Sequence, residues 1–403
     1  HIIGQKPNST GSGVYMCGMI EGLQKIGHEQ AVIAGIDIND DRDCFPEEIS
    51  FFPVIYNNEE LPFPVVGMSD AMPYESTRYR DLDTYMVEIM KSEFKKKIDE
   101  AINVFKPHII ICNHLYLITS YVREIVKDIR VIGLCHGTCL RQLKSINFEK
   151  EYILSNIKEL DLILALHNEQ KEDIINLFDI NHNKVVVIGS GYNDKMFYNE
   201  NYKTNDRNIN ITFAGKICKS KGLKSLIKSI DKLEYTKDSI KLNIAGTGSD
   251  ESQYKEIFNV SEDCRYEVDF LGRLSHKELA NLFNKSNIFV LPSFYEGLPV
   301  VVLEALACGT DVIVSDINGV KEWMGESINN SGKISYIRLP KMKTTGVPLK
   351  SELPYFEEML YRELDNRIRN ILDNDECKSK LNMSDKTWNG LANRVNNILD
   401  KMV

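Results

Sequence analysis

Short runs of β-branched and other apolar residues alternate with longer amphipathic stretches along most of this chain, and the alternation runs through twice in succession. Such a pattern predicts parallel βα units, with helices covering both faces of a sheet. In the first series the candidate strands span residues 1–4, 30–35, 50–55, 109–112, 130–135, 162–166 and 185–188, with helices starting near Val14, Tyr85, Tyr116, Glu149 and Glu169. A second series follows Gly191, with candidate strands at 209–214, 241–245, 266–271, 288–291 and 312–315. Residues 198–208, rich in Asn, Asp and Lys, read as an exposed connection between the two. The expected organisation is an N-terminal parallel α/β domain over 1–190 and a second over 191–385. A terminal helix within 386–403, with Leu391, Val395, Ile398 and Leu399 at helical spacing, is expected to pack back on the N-terminal domain.

A chain of 403 residues is too long for one ordinary core, in keeping with two domains. Hydrophobic residues make up 43% of it, yet no run of about 18 apolar residues could span a bilayer. The formal charge of −9 argues against nucleic acid as a partner, because phosphate binding needs a dominant basic surface. Nine cysteines at this length are no disulfide framework, and Cys112, Cys135 and Cys308 sit in apolar or small-residue settings typical of reduced thiols. A cytoplasmic location is expected, with peripheral contact at the inner membrane surface left open by Lys95-Lys96-Lys97. The opening His1-Ile2-Ile3-Gly4 reads as a first strand entered part-way, without the charged segment of a signal peptide. No solenoid-period repeat is present.

The most informative string is Pro292-Ser293-Phe294-Tyr295-Glu296-Gly297-Leu298-Pro299, which leads into a helix carrying Glu304. It places one glutamate at a strand-to-helix turn and another eight positions on, in the second helical turn. Carboxylates suit sugar hydroxyls because each oxygen accepts from OH groups and vicinal hydroxyls can be gripped together. The N–H groups of Gly297 and Leu298 at a helix start suit phosphate oxygens. This string resembles the Glu-x7-Glu motif of glycosyltransferase family 4, the retaining glycosyl transferases group 1 of the GT-B fold. The resemblance implies an α/β chain of two Rossmann-like domains facing each other across a cleft. It also implies that Glu296 meets the donor sugar and Glu304 the nucleotide ribose. The family's usual Gly-Phe-Gly-Leu after the first glutamate is here Gly-Leu-Pro-Val.

Further matches extend the resemblance over nearly the whole chain. Gly215-Lys216-Ile217-Cys218-Lys219-Ser220-Lys221-Gly222 is similar to the family's Gly-Arg-x4-Lys-Gly element, with Lys216 in place of the arginine. Two lysines at a strand's carboxyl end can neutralise a diphosphate as it gains charge. Thr10-Gly11-Ser12-Gly13, read as a loop between the first strand and its helix, matches the family's glycine-rich first loop, where Gly11 and Gly13 would let backbone approach the diphosphate. The third glycine of a dinucleotide fingerprint is absent, since Met16 stands in its place, which weighs against a dehydrogenase. His136 ends a strand at the position of a family histidine that contacts the donor sugar, and Cys139 stands where many relatives carry an acid. Gly246 resembles the family's Gly-x-Gly turn, Arg273 and Leu274 the segment that reads the base, and 318–322 a late loop near the donor.

The implied activity is retaining transfer of a hexose-type sugar from a nucleoside diphosphate sugar, UDP-linked by default, to a sugar, lipid-linked or small-molecule acceptor. The nucleotide sugar is a co-substrate; no permanently bound cofactor and no metal are expected. Asp81-Leu82-Asp83 imitates a metal site but precedes a helix rather than ending a buried strand. On the acceptor side, the long proline-bearing segment 57–85 offers Arg78 and Arg80, with His114 and Arg141 as further candidates. Two other functions share the pattern: a nucleotide-sugar epimerase, which needs no acceptor, and a donor-binding protein without catalysis.

Overall fold

Seven apolar runs of the first series pair edge to edge as parallel strands: β1 (Ile2–Ile3), β2 (Gln30–Asp37), β3 (Ile49–Tyr56), β6 (Ile109–Asn113), β7 (Arg130–Leu134), β8 (Leu162–Ala165) and β9 (Val185–Val187). Their order across the sheet is β3-β2-β1-β6-β7-β8-β9. The computed structural model describes residues 1–41, 44–70, 72–200, 208–248, 250–373 and 381–402; most of the connection read at 198–208 lies outside them. The chain divides into two units, the first comprising His1–Gly191 with Ser384–Val403 and the second Tyr192–Met383.

Helices α1 (Gly11–Ile26), α2 (Thr84–Phe105), α3 (Leu117–Ile125), α4 (Gly137–Ser145), α5 (Lys150–Lys158) and α6 (Asn168–Phe178) connect the first unit's strands, and α13 (Trp388–Leu399) packs on α1. Two of these differ from the sequence reading. α1 begins at Gly11, not near Val14, because the Thr10 hydroxyl accepts the Gly13 N–H at 3.2 Å and caps the helix three residues earlier. The glycine-rich stretch is therefore the helix's first turn. A Cβ at Gly13 would lie 2.2 Å from the Pro7 carbonyl oxygen, so the incoming chain itself demands that glycine, whereas Gly11 faces open space. α4 begins directly after His136 and has no counterpart in the periodicity reading.

Residues 57–85 are also more ordered than expected. They contain a two-residue parallel pair, β4 (Val66–Gly67) with β5 (Thr77–Arg78), and a 3-10 turn over Tyr79–Asp81. Leu61, Val65, Val66 and Tyr79 are buried in the core shared with α2 and α3. Asp83 caps α2 by accepting the Met86 N–H at 2.8 Å, and Asp81 pairs with Arg78.

In the second unit, β10 (Ile209–Ala214), β11 (Ile240–Ala245), β12 (Glu267–Gly272), β13 (Ile288–Leu291), β14 (Asp311–Ser315) and β15 (Ile334–Ile337) form a parallel sheet in the order β12-β11-β10-β13-β14-β15. This is the doubly wound order of nucleotide-binding α/β domains. Helices α7 (Leu223–Asp231), α8 (Glu251–Glu262), α9 (His276–Lys285), α10 (Val300–Ala307), α11 (Val320–Asn329) and α12 (Leu353–Leu372) flank it around one apolar core. A small antiparallel hairpin, β16 (Met342–Thr344) with β17 (Val347–Pro348), stands between β15 and α12. Neither β15 nor the hairpin was legible as a strand.

Candidate active site

Strand order reverses between β10 and β13, which pair side by side, so the loops leaving their carboxyl ends diverge and leave a crevice where α/β domains bind ligands. Those loops are 215–222 and 292–299, and they are tied together. The Phe294 N–H donates to the Ser220 carbonyl at 2.8 Å, and a Cβ at Gly222 would lie 2.0 Å from the Pro292 carbonyl oxygen. Lys221 Nζ consequently reaches Glu296 Oε1 at 2.5 Å, with the two side chains only 20% and 15% exposed. Ser293, to which sequence reasoning gave no role, donates its hydroxyl to the same oxygen at 2.8 Å. Both donors use Oε1, and among the described residues Oε2 has no hydrogen-bond partner.

Glu304 lies one and a half turns into α10, and its carboxyl has no hydrogen-bond partner among the described residues. Burial alone pushes it from the ordinary 4.5 up to about 8. Between those values the unfolded carboxyl is ionised while the folded one stays protonated, so the unfolded state binds fewer protons. The contribution to stability is therefore complete below pH 4.5, falls as pH rises toward 8 and is level above it. Thermal unfolding of the wild type and Glu304→Gln across this window is expected to show the glutamine variant gaining relative stability as pH rises. A difference in midpoint that does not change with pH contradicts the burial argument.

The ends of β10, β11 and β12 meet through backbone alone. The Gly215 N–H donates to the Ala245 carbonyl at 2.9 Å and the Gly246 N–H to the Gly272 carbonyl at 2.7 Å. At Gly246 a Cβ would lie 1.8 Å from the Gly215 carbonyl oxygen, so no other residue fits this strand end. Lys216 is exposed and has no ion-pair partner among the described residues; Arg273 is exposed at the edge of the same end, and Leu274 packs partly against the core. Gly297 faces open space and Leu298 packs on the core ahead of α10. In the late loop, Gly319 begins α11 with φ 81°, and Lys321 Nζ lies 5.5 Å from the centre of the Tyr336 ring.

In the first unit the corresponding reversal lies between β1 and β6, and it gathers a buried polar cluster. His114, just past β6, holds a left-handed backbone at φ 72°. Its Nε2 lies 3.0 Å from the Ser12 hydroxyl in α1 and its Nδ1 3.3 Å from Cys139 Sγ in α4. A non-glycine residue in that region costs energy, and such strain concentrates at functional sites. His136 caps α4, its Nε2 3.2 Å from Asn113 Oδ1 and its ring 4.7 Å from that of His114. Burial, reinforced by His114, holds His136 well below the ordinary imidazole range, so it is neutral near pH 7. Burial opposes ionisation of Cys139, yet the Cys135 thiol, His114 and the His136 N–H outweigh it and hold Cys139 well below the ordinary thiol range.

The arginines expected on the acceptor side do not join this cluster. Arg78 pairs with Asp81 and Arg80 with Asp70, both in exposed positions, and Arg141 is exposed on α4. Lys95, Lys96 and Lys97 each have a carboxylate partner, in Asp99, Glu93 and Glu100. Among the described residues no helix is long and apolar enough to cross a membrane, and no group of three or more His, Cys, Asp or Glu is placed to hold a metal ion.

Residues 194–331, which contain Lys216, Lys221, Glu296 and Glu304, match the family model described as glycosyl transferases group 1. The chain is 27% identical over 342 residues to an uncharacterized glycosyltransferase of Methanocaldococcus jannaschii, covering 79% of this chain and 80% of that one. Among solved structures it is similar to sucrose-phosphate synthase of Thermosynechococcus elongatus, with TM-score 0.64 and 16% identity over 98% of this chain and 94% of that one. It is similar also to the Anabaena protein HepE in complex with UDP-glucose, with TM-score 0.64 and 12% identity over 99% and 98%. The fold is GT-B, built from two Rossmann-like α/β units.

Proposed function

We propose that the chain is a retaining glycosyltransferase that moves a hexose-type sugar from a nucleoside diphosphate sugar to an acceptor hydroxyl. The observation that carries the reading is the Lys221–Glu296 ion pair at the strand-order reversal of the second unit, with Glu304 eight residues on in the helix behind it. A cation and a hydroxyl-binding carboxylate held side by side suit the two ends of the bond to be broken. As the anomeric C–O bond breaks, its electron pair passes to the diphosphate, and Lys221 with the exposed Lys216 offsets the developing charge. Glu296 Oε2 accepts from sugar hydroxyls, Glu304 meets the ribose, and Gly246, Arg273 and Leu274 border the base. Gly297 and Leu298 offer N–H groups to the phosphates.

On the first unit we assign His136 to the donor sugar, Gly11 and Gly13 to the diphosphate, and His114, Arg78, Arg80 and Arg141 to the acceptor. Among the described residues, no side chain near Glu296 is a convincing covalent nucleophile. The acceptor oxygen therefore attacks the anomeric carbon on the face the diphosphate leaves, and its proton passes to a diphosphate oxygen. UDP is the assigned nucleotide because the resemblance implies it, and the similar Anabaena protein is seen in complex with UDP-glucose. The acceptor is a sugar, a lipid-linked sugar or a small molecule, and the place of action is the cytoplasm or the inner membrane surface.

Incubating the protein with a panel of nucleotide sugars and candidate acceptors, followed by mass analysis, is expected to give an acceptor-dependent glycosylated product. An altered nucleotide sugar formed without acceptor would identify an epimerase, and binding without any product a donor-binding protein. NMR of the first-formed product is expected to show the donor's anomeric configuration, with activity unaffected by EDTA. An inverted linkage or loss of activity with EDTA contradicts the mechanism.

A further inference from the structure

The β16–β17 hairpin lies beyond residues 194–331, outside the segment the family model matches. Its strands are closed by a bond from the Leu349 N–H to the Lys341 carbonyl at 2.8 Å, and its turn carries Gly346. Most of the hairpin faces solvent, with Val347 49% exposed, yet Gly346 is buried. A Cβ there would meet Tyr295 Cβ at 3.2 Å and Ser220 Cβ at 3.6 Å, and the backbone is left-handed at φ 72°. These two neighbours belong to different loops. Tyr295 precedes Glu296, and Ser220 precedes Lys221 and accepts the Phe294 N–H that ties the loops together.

We propose that Gly346 is a positioning residue. By seating the hairpin turn on Tyr295 and Ser220 at once, it holds the two loops at the separation at which Lys221 meets Glu296. The glycine is needed twice over, for the turn's left-handed backbone and for the close approach to Tyr295, with Ser220 in ordinary contact beside it. Capture of the sugar end of a nucleotide sugar then depends on the hairpin, whereas the nucleotide end, assigned to Gly246 and Glu304, does not. This step rests on the reading of Glu296 and Lys221 given above.

Two variants separate the turn from the contact. Asparagine tolerates the left-handed backbone, so Gly346→Asn adds mainly the Cβ against Tyr295 and Ser220, while Gly346→Val adds backbone strain as well. In the full chain, hydrogen exchange at the Phe294 amide is expected to speed up by about tenfold in Gly346→Asn and more in Gly346→Val. The turnover number for sugar transfer is expected to fall about tenfold as the loops lose their geometry. Binding of UDP or GDP, probed without a sugar, should stay within about twofold, and the thermal midpoint of Gly346→Asn within a few degrees. Unchanged Phe294 exchange in the folded asparagine variant overturns the proposal, and so does faster exchange with unchanged turnover, or an equal loss of nucleotide binding. Were the wild type to transfer no sugar, the reading of the reaction would fall, and the amide exchange alone would decide whether Gly346 holds the loops.

Discussion

Replacing Lys221 by alanine is expected to lower the turnover number by about 100- to 1,000-fold, the scale for removing one charge-stabilising donor from a breaking bond. Affinity for the nucleotide sugar should fall by much less, because the diphosphate carries its greatest charge in the transition state. The geometry adds a second consequence. Lys221 Nζ is held 2.5 Å from Glu296 Oε1, so its removal leaves that half-buried carboxylate, among the described residues, with only the Ser293 hydroxyl. Lys221→Ala thus disturbs the sugar end as well as the phosphate end. Lys221→Arg keeps the charge but replaces a compact ammonium by a planar fork on a longer stem, and it should recover part of the loss. Single-turnover rates at saturating donor, set beside the dissociation constant for the nucleoside diphosphate, check both expectations. An unchanged rate in Lys221→Ala removes this lysine from the mechanism.

That ion pair also shows where sequence reading stops. Strands buried on both faces are continuous apolar runs, and β10 and β13 therefore match their sequence-read spans of 209–214 and 288–291 to the residue. The juxtaposition of Lys221 with Glu296, 75 residues apart, follows only from β10 and β13 lying side by side, which no local pattern encodes. Elements that escaped notice lacked the expected signal for identifiable reasons. α4 opens with Gly137 and Thr138, poor helix formers, and is held by the reciprocal contacts of His136 and Cys139 rather than by propensity. β15 has Ile334 and Ile337 buried on either side of the half-buried Ser335 and Tyr336, which is neither an alternation nor a continuous apolar run. Segment 57–85 buries Leu61, Phe63 and Val65 in alternation with Pro62 and Pro64, whose lack of N–H groups denies that stretch a strand ladder, and Tyr79 joins them over the core. The arginines of that segment pair with Asp70 and Asp81, local polar residues that a sequence shows only as a mixed-charge loop.

The largest expected loss of stability comes from Trp388, and it follows from glycines whose purpose was invisible until the C-terminal helix was placed. Gly18 and Gly22, four residues apart on one face of α1, form a groove into which α13 settles. A Cβ at Gly18 would lie 2.2 Å from Trp388 Cε2, one at Gly22 2.6 Å from the Trp388 carbonyl oxygen, and one at Gly191 2.5 Å from Trp388 Cε3. The indole, 7% exposed, fills the space left at Gly18 and Gly191, while the helix backbone and the Ala392 methyl fill that at Gly22. Arg394 fastens the other side of α13, its Nε donating to the Ile188 carbonyl at 2.8 Å and its Nη2 to the Ser190 carbonyl at 3.2 Å. Trp388→Ala is therefore expected to cost about 3–5 kcal/mol, because a glycine-walled cavity cannot collapse onto side chains that are not there. Over a unit of this size that is a fall in melting midpoint of roughly 6–20 °C. Gly18→Val should be comparably damaging from the opposite cause, since overpacking forces α13 off its seat. The effect reaches the buried cluster through rings packed edge to face. Trp388 packs edge-on against Tyr15 at 5.7 Å, Tyr15 against His136 at 5.5 Å, and the Tyr15 hydroxyl donates to the Gly189 carbonyl at 2.7 Å. In Trp388→Ala at a temperature where the protein stays folded, the His136 ring resonances are expected to shift and broaden, as Tyr15 loses one of the two rings that fix it. A midpoint within 2 °C of wild type, or an unchanged His136 spectrum in a destabilised variant, would sever α13 from the site it is argued to support.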